Sequence, residues 1–404
     1  MIKCRLCHSD SIASIIPLGE LPLANSLLEK VDELKSEKKH NLEVLLCGEC
    51  GLAQLKDLID PKDLFSDYVY FSSNSDTMLQ SAKDLVEATF KNLGRDSLVV
   101  EIASNDGYLL KNYTEKNIPV LGIDPAENIA DVANKNGINT ICDFFGVDLA
   151  KKLASEGSKA DVIHANNVMA HVPDINGFVE GIKILLKDSG KAIIEVPYFA
   201  DLVEKLEFDT IYHEHVFYFA VKPLKYLFEK HGLEIFNIQY IPIHGGSLRV
   251  FVGHRGYHAV TTNVESYIEK EKNLGLYKTT TYVNFMKKLS SLKDELHKTL
   301  SALTNKHKKI CAYGASAKGT TLLNYFGIGK DFIDFIVDRG PAKQWKFSPG
   351  MGLEIFPPEK MLEEESDFAL LLAWNFSQEI IEQQSYFTKS GGKFIIPLPE
   401  VKII

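Results

Sequence analysis

The feature that most restricts the fold is an alternation of short apolar runs with longer amphipathic segments. The first series of apolar runs occupies residues 98–102, 119–124, 161–165 and 191–196. A second, shorter series occupies residues 309–314, 332–338 and 368–374. Such spacing is typical of a doubly wound sheet, in which parallel strands alternate with covering helices. The sequence therefore predicts an α/β protein with two separate α/β units.

The length of the chain divides this pattern into domains. A chain of 404 residues is too long for one ordinary hydrophobic core. We expect a small amino-terminal module over residues 1–66 and a doubly wound α/β domain over residues 67–249. Residues 250–404 are expected to hold a helical connector, mostly helix over residues 263–306, and then a Rossmann-like α/β domain.

Charge and hydropathy exclude several classes of function. The net charge of -9 argues against a general nucleic-acid binder, because affinity for the phosphate backbone comes mainly from clustered Lys and Arg. No apolar run reaches the roughly 18 residues needed to span a bilayer, and the first residues lack the apolar core of a secretion signal. We expect a cytoplasmic monomer or weak homo-oligomer without nucleic-acid or membrane partners.

Four of the six cysteines form two Cys-x-x-Cys pairs, which are Cys4 with Cys7 and Cys47 with Cys50. Four thiolates give Zn²⁺ a closed tetrahedral shell, the arrangement of a structural rather than a catalytic site. Unligated buried cysteines and a redox dithiol are the alternatives, although no thioredoxin-like unit surrounds either pair. The sequence predicts structural zinc bound by all four cysteines, whereas Cys142 and Cys311 are expected to be small buried hydrophobes.

A tight loop follows the first apolar run of the central domain. Its pattern Glu-x-Ala-x-Asn-Asp-Gly, at residues 101–107, resembles the first motif of class I methyltransferases and not the Gly-x-Gly-x-x-Gly of dinucleotide enzymes. The resemblance implies S-adenosylmethionine (SAM) as the cofactor. Asp124 would accept the ribose hydroxyls, and Asp143 with Phe144 would contact the adenine.

The full set of expected cofactor-binding residues follows the ends of neighbouring strands. It consists of Glu101, Ala103, Asn105, Gly107, Tyr108, Leu109, Asp124, Pro125, Asp143, Phe144, Asn166 and Asn167. Turn and cap chemistry in another kind of α/β protein is the alternative explanation of these residues.

Histidines cluster in the segment Tyr212–His215, and His171 follows the fourth predicted strand. Both segments should overhang the same edge of the sheet. Proton removal beside a ketone needs a base of near-neutral pKa and a group that holds the enolate oxygen, and His with Tyr or a second His supplies both. As alternatives, His213 and His215 would bind a catalytic metal with His171 or His244, or all would be ordinary histidines.

Together these motifs resemble the family of deoxysugar C-methyltransferases that act on nucleotide-linked 4-keto-sugars. The resemblance extends over essentially the whole chain. The similar segments are a zinc-binding domain at residues 4–50, a cofactor loop at 101–110, Tyr-His-Glu-His at 212–215, His-Gly-Gly-Ser-Leu-Arg at 244–249, and two carboxyl-terminal runs at 313–319 and 371–375.

The resemblance implies methyl transfer from SAM to carbon 3 of a nucleoside diphosphate 4-keto-6-deoxysugar, through an enolate. Methylation of carbon 5 in the same class of substrate is the alternative. His215 would remove the proton from the sugar. The supporting residues that the resemblance implies are Tyr212, Glu214, His171 and Tyr70, with Tyr68 an equal candidate for the place of Tyr70.

A second glycine-bearing loop, residues 314–319, follows a predicted strand and begins a predicted helix. Backbone amides at such a helix start suit a diphosphate, and Lys318 adds positive charge. We expect the diphosphate of the nucleotide sugar there, while bound NAD and a purely structural loop are the alternatives. The candidate substrate-binding residues are His244, Arg249, Ser316, Lys318, Asn324 and Lys343.

Two positions depart from the family pattern. Ala103 stands where many class I enzymes carry glycine, and Trp345 follows Gln344 where a glycine is expected. Two other classes of function stay open at this point, a nicotinamide-dependent oxidoreductase that uses the second loop and a non-catalytic zinc scaffold.

Overall fold

The computed structural model describes residues 2–61, 64 and 71–404. Tyr70 and Tyr68, the two candidates for the pocket tyrosine, lie outside the described residues. Within the described part, no helix combines the length and the apolar character needed to cross a membrane.

A small antiparallel sheet forms the amino-terminal module. Its own strands are β1 (Ile12–Pro22), β2 (Lys39–Cys47) and β3 (Ala53–Leu55). Two irregularities in the β1–β2 register bend the hairpin, as β-bulges do. The fourth strand of this sheet, Phe217–Tyr218, comes from the central domain and pairs with β3.

The central domain is built on a seven-stranded sheet with the order β10-β11-β8-β7-β4-β5-β6. Its strands are β4 (Val99–Ile102), β5 (Val120–Asp124), β6 (Thr140–Cys142), β7 (Ala160–Asn166), β8 (Leu186–Pro197), β10 (Leu233–Ile241) and β11 (Ser247–His254), while β9 is the segment Phe217–Tyr218. Only β11 runs antiparallel to its neighbours in this sheet. The strand order reverses between β4 and β7, which is where such sheets bind ligands.

Helices cover both faces of the central sheet. They are α1 (Asp76–Thr89), α2 (Lys111–Thr114), α3 (Glu127–Lys135), α4 (Val147–Ser155), α5 (Ile175–Leu185), α6 (Phe199–Glu204) and α7 (Val221–Lys230). Helix α3 buries Ile129, Ala130 and Ala133, which lie on one side of a helix. The central strands are instead buried on both faces, which explains their continuous apolar runs.

The connector contains two helices where the sequence predicted mostly one long helix. They are α8 (Asn263–Asn273) and α9 (Thr279–Thr304). The chain breaks between them at Gly275, whose φ of 71° lies in the left-handed region. Helix α9 packs on β1 of the amino-terminal module. Its buried stripe consists of Tyr282, Phe285, Leu289, Leu292, Leu296 and Leu300.

The carboxyl-terminal domain has a six-stranded sheet with the order β14-β13-β12-β15-β16-β17. Its elements are β12 (Ile310–Tyr313), α10 (Ala317–Phe326), β13 (Ile336–Val337), β14 (Ile355–Phe356), α11 (Lys360–Glu363), β15 (Phe368–Leu371), α12 (Ser377–Gln383), α13 (Ser385–Lys389), β16 (Lys393–Ile396) and β17 (Lys402–Ile403). All pairs are parallel except β16 with β17. The predicted α/β class with a Rossmann-like carboxyl-terminal domain is confirmed.

A buried carboxylate fastens the connector to the central domain. Glu271 of α8 accepts hydrogen bonds from the backbone amides of Val221 and Lys222, at 2.6 and 3.2 Å. Its oxygens also accept from the hydroxyls of Tyr198 and Tyr277. Glu271 therefore caps the start of α7 from a different helix, and it satisfies amides that lack a partner within α7.

We expect Glu271→Ala to lower the free energy of unfolding by about 2–4 kcal/mol, because it leaves buried donors without an acceptor. Urea unfolding followed by circular dichroism would measure the change. The matched control is Glu269→Ala on the same helix, since Glu269 makes an exposed ion pair with Lys272. A loss for Glu271→Ala no larger than that of the control would contradict this role.

Candidate functional site

The four predicted metal ligands come together in the amino-terminal module. All four Sγ atoms of Cys4, Cys7, Cys47 and Cys50 lie within 4.8 Å of one another. The Sγ atoms of Cys4 and Cys50 are 3.6 Å apart, and those of Cys7 and Cys47 are 3.5 Å apart. Tetrahedral zinc with Zn–S bonds of about 2.3 Å requires sulfurs about 3.8 Å apart. The thiolate set therefore fits a structural Zn²⁺ ion.

No second metal cluster forms among the described residues. The cysteines are the one described group of three or more His, Cys, Asp or Glu side chains close enough to share an ion. The histidines at residues 171, 213, 215 and 244 do not assemble into such a group, which disfavours the catalytic-metal alternative. Cys311 is buried as expected, but the prediction is wrong for Cys142, which is exposed at the end of β6.

A cavity of about 360 Å³ lies at the carboxyl ends of the central sheet. All three parts of the chain contribute to its walls. Asn25 comes from the amino-terminal module, Asp124 and His215 from the central domain, and Ser316 and Lys318 from the carboxyl-terminal domain. Its size and position are those of a small-molecule site in an open α/β sheet.

Most of the expected cofactor-binding residues line this cavity. They are Ala103, Asn105, Tyr108, Asp124, Pro125, Asp143, Phe144, Asn166 and Asn167. The φ angle of Ala103 is 55°, in the region that favours glycine, which explains why glycine was expected there. Phe144 is 47% exposed, so its ring is open to stacking on a planar base.

Asp124 fixes the loop that follows β4. Its carboxylate accepts from the backbone amides of Asn105 and Ala126, at 2.9 and 3.0 Å. Burial raises the pKa of Asp124, while these two hydrogen bonds oppose the shift. Further along the wall, the buried Oδ1 atoms of Asn166 and Asn167 accept no hydrogen bond within the described part of the protein. A carboxylate, an open aromatic ring and unsatisfied acceptors suit the ribose, adenine and amino groups of SAM.

Three expected cofactor residues are not brought to the cavity. Glu101 is buried beneath the loop, where burial and the charge of Asp124 raise its pKa well above the usual range. Gly107 has a φ of 81°, and a Cβ atom there would lie 2.8 Å from the side chain of Ile138. Leu109 is fully buried in the core. These residues support the loop from below.

The signature segment places a tyrosine and a histidine in direct contact. The hydroxyl of Tyr212 lies 2.8 Å from Nε2 of His215, and Nδ1 of His215 lies 2.8 Å from the carbonyl oxygen of Thr210. Because a carbonyl oxygen can only accept, Nδ1 carries the hydrogen and Nε2 carries the lone pair. The Tyr212 hydroxyl therefore donates to Nε2.

His171 lies beside Tyr212 and His215 because a backbone hydrogen bond joins their two segments. The backbone amide of Val216 donates to the carbonyl of Ala170 at 2.7 Å, which holds the two segments together. The rings of His171 and His215 meet edge to face with centroids 4.8 Å apart. Both residues line the cavity, as do Tyr212 and Glu214. Every described member of the expected catalytic set thus faces one space.

Burial controls the protonation of these groups. It lowers the pKa of His215 well below its usual value, with the charge of His171 acting in the same direction. Burial likewise lowers the pKa of His171 to about 4 and that of His244 to about 3. At neutral pH these imidazoles are uncharged and keep a lone pair. Burial raises the pKa of Glu214 to about 7, although Asn25 donates to its Oε1 atom.

The candidate substrate residues divide into two groups. His244, Ser316, Lys318 and Lys343 line the cavity. Arg249 does not, because its guanidinium pairs with buried Glu195 on the neighbouring strand, with Nε and Oε1 2.6 Å apart. Asn324 does not either, because its amide donates to the carbonyls at residues 320 and 349. Both residues serve the fold.

The second glycine-bearing loop repeats the geometry of the first. Asp338, at the end of β13, accepts from the backbone amides of Ala315 and Gly340 at 2.8 and 2.7 Å. Asp124 makes the equivalent bonds in the central domain. Lys343 donates to the carbonyl of Ala315, so its ammonium lies at this loop. Trp345 has a φ of 70°, which explains why glycine was expected there.

Several lining residues were missed by sequence reasoning. Asn25 contacts Glu214 across 189 positions of sequence, and its only signal was a place in a turn. Ser72 donates its amide to the side chain of Asn105. Thr210 orients His215, and Phe376 contacts the ring of His244 edge to face. None of these contacts leaves a periodic or spacing signal.

Three family models match consecutive parts of the chain. Residues 4–65 match the model of a zinc binding domain, residues 76–238 that of a methyltransferase domain, and residues 242–399 that of a C-methyltransferase C-terminal domain. The chain is similar to C-methyltransferase NovU of Streptomyces niveus, with 34% identity over 405 residues that cover 100% of this chain and 96% of the relative.

Other similarities are local. A ubiquinone biosynthesis O-methyltransferase of Bartonella tribocorum is 30% identical over 93 residues, which cover 23% of this chain and 38% of that protein. Among solved structures, the PH0226 protein of Pyrococcus horikoshii OT3 is 15% identical to this chain, with a TM-score of 0.39. The matched region covers 49% of this chain and 100% of the PH0226 chain. A magnesium protoporphyrin IX methyltransferase of Synechocystis is 13% identical to this chain, with a TM-score of 0.34. The matched region covers 44% of this chain and 82% of the methyltransferase chain.

The full-length similarity and the three consecutive family matches confirm the resemblance inferred from the motifs. The chain therefore belongs to the C-methyltransferase family, and it is a SAM-dependent C-methyltransferase with a structural zinc site in its amino-terminal module.

Proposed function

We propose that the protein transfers a methyl group to carbon 3 of a nucleoside diphosphate 4-keto-6-deoxysugar, with His215 as the general base. SAM supplies an electrophilic methyl group when bound. The residues of the protein have the tasks of holding the sugar, removing the proton from carbon 3 and excluding water.

The observation that supports this proposal most directly is a single cavity that is lined by both the central domain and the carboxyl-terminal domain. The strand ends of the central domain supply Asp124 and Asn166, and the second loop supplies Ser316 and Lys343. His215 lines the same space. A substrate held at the second loop would therefore present its sugar to the imidazole and to the cofactor at once.

The protonation state of His215 suits the task of a base. Its Nε2 atom carries the lone pair, because Nδ1 donates to the carbonyl of Thr210. The proton from carbon 3 reaches Nε2 directly or through the hydroxyl of Tyr212, which already bonds that nitrogen. Glu214 and His171 complete the surrounding wall. A 4-keto group is what makes the hydrogen on carbon 3 acidic enough for an imidazole.

The second loop suits the nucleotide part of the substrate. Ser316 lines the cavity and caps the start of α10, and the start of a helix favours negative charge. Lys343 places positive charge beside the same loop. Together they match the chemistry of a diphosphate.

The test is a mass-spectrometric assay with SAM and a panel of nucleotide-linked 4-keto-6-deoxysugars. We expect the accepted substrate to gain the mass of one CH₂ group, and NMR of the product would assign the new methyl to carbon 3. The matched control is the same nucleotide sugar with its 4-keto group reduced to a hydroxyl, which offers no acidic C–H bond.

Methylation of the reduced sugar, or a product methylated on carbon 5, would contradict the proposal. A thermal shift with SAM set against NAD separates the oxidoreductase alternative, because only a bound ligand raises the melting temperature.

A further inference from the structure

A buried charged cluster beside the cavity has no place in the mechanism above. Its members, called the Lys318 cluster here, are Lys318, Glu207, Asp209 and Trp374. The indole Nε1 of Trp374 donates to Oδ2 of Asp209 at 2.6 Å. The ammonium of Lys318 lies over the Trp374 ring, 4.8 Å from its centroid. Both carboxylates are buried, and only Lys318 of the charged members lines the cavity.

The orientation of α10 directs Lys318 toward the catalytic segment. Thr321, three residues later on the same helix face, donates its hydroxyl to the carbonyl of Ile211, the residue before Tyr212. The ammonium of Lys318 donates to the carbonyl of His244 at 3.3 Å. Lys318 therefore lies beside the segment that carries His215.

The other cavity lysine has a different position. Lys343 donates to the carbonyl of Ala315 and pairs with Asp338, at the end of β13. The two lysines thus bond to different segments of the chain. Lys343 lies at the loop suited to a diphosphate, whereas Lys318 lies where the sugar would meet His215 and His244.

From this geometry we propose that the ammonium of Lys318 stabilises the oxygen on carbon 4 as the substrate loses its proton from carbon 3. The inference rests on the proposed function. The C–H bond at carbon 3 breaks, its proton goes to Nε2 of His215, and its electron pair forms the carbon 3–carbon 4 double bond. The π pair of the carbonyl moves to the oxygen, which accepts a hydrogen bond from Lys318.

The two carboxylates favour the charged form of Lys318. Burial lowers the pKa of Lys318, and the charges of Asp209 and Glu207 oppose that shift. Glu207 Oε1 and Asp209 Oδ1 are buried without a hydrogen-bond partner in the described part of the protein. Burial raises the pKa of Glu207 to about 7 and that of Asp209 to about 6, and the charge of Lys318 opposes both shifts. A Cβ atom at Gly245 would lie 2.4 Å from Glu207, which gives the glycine after His244 a role in closing this cluster.

The test follows exchange of the carbon 3 hydrogen with deuterium oxide in the absence of SAM, for the nucleotide sugar that the wild-type protein methylates. We expect Lys318→Met to slow this exchange, at saturating substrate, by about 10²-fold to 10³-fold. Its Kd for the free nucleoside diphosphate should stay within about twofold of wild type. Lys343→Met is the comparison variant for the nucleotide end of the site, and we expect it to weaken binding of the nucleoside diphosphate.

Removal of the cation leaves two buried acids, so the charge-balanced variant Lys318→Met with Glu207→Gln is measured as well. Zinc content and affinity for S-adenosylhomocysteine report its folding. The inference is overturned when a folded Lys318 variant keeps wild-type exchange, or when its main defect is weaker binding of the nucleoside diphosphate. Absence of exchange and methylation in the wild-type protein would instead reject the proposed function.

Discussion

Replacement of His215 by asparagine is expected to lower kcat by about 10²-fold to 10⁴-fold. The substitution removes the Nε2 lone pair that the Thr210 carbonyl directs toward Tyr212. The affinity for S-adenosylhomocysteine should be nearly unchanged, because the cofactor residues belong to other strand ends. Initial rates and isothermal titration calorimetry would measure the two quantities.

The same motif offers a matched control. His213 lies two residues away, but it does not line the cavity, and its Nε2 atom lies 3.1 Å from the carbonyl oxygen of His40. We expect His213→Asn to retain most of the activity. If His215→Asn lost cofactor binding instead of turnover, His215 would belong to the SAM pocket and the assignment of the base would be wrong.

Loss of zinc is expected to abolish methyl transfer as well as to unfold the amino-terminal module. Structural zinc contributes about 10–16 kcal/mol of apparent binding free energy in small zinc peptides, so Cys47→Ser should be severe. Strand β2 ends at Cys47, pairs with β3, and β3 pairs with β9. β9 begins at Phe217, close to His215, so disorder in the module reaches the catalytic segment.

Metal analysis, circular dichroism and activity with and without a chelator would test this expectation, with recovery on adding Zn²⁺. Cys142→Ser is the control, since that thiol is exposed and outside the cysteine cluster. Full activity in a zinc-free protein would show that the thiolate site does not stabilise the active fold.

The architecture was largely predictable because its signals are local. Strands such as β4 are short apolar runs between amphipathic helices, and the carboxyl ends of neighbouring strands must meet at one edge. That reasoning predicted that Asp124, Asn166 and His171 follow strand ends at one edge of the sheet, and all three line the cavity. The spacing of the cysteines likewise predicted all four members of the thiolate cluster.

Other parts of the site were not predictable, because they depend on contacts between distant segments. Arg249 belongs to a conspicuous motif, yet the partner on the adjacent strand, Glu195, decides its role. Asn25 reaches Glu214 only through the packing of the amino-terminal module. The separate positions of Lys318 and Lys343 depend on how α10 docks on the central domain, which no spacing in the sequence encodes.

Strand β9 has a consequence for how such a protein can change during evolution. A two-residue strand of the methyl-transferring domain pairs with β3 of the metal-binding module, so β3 has an unpaired edge without that domain. Recombination that exchanged one of these parts for an unrelated one would expose that edge beside the reacting groups. The zinc-bearing segment and the catalytic segment are therefore expected to be inherited together.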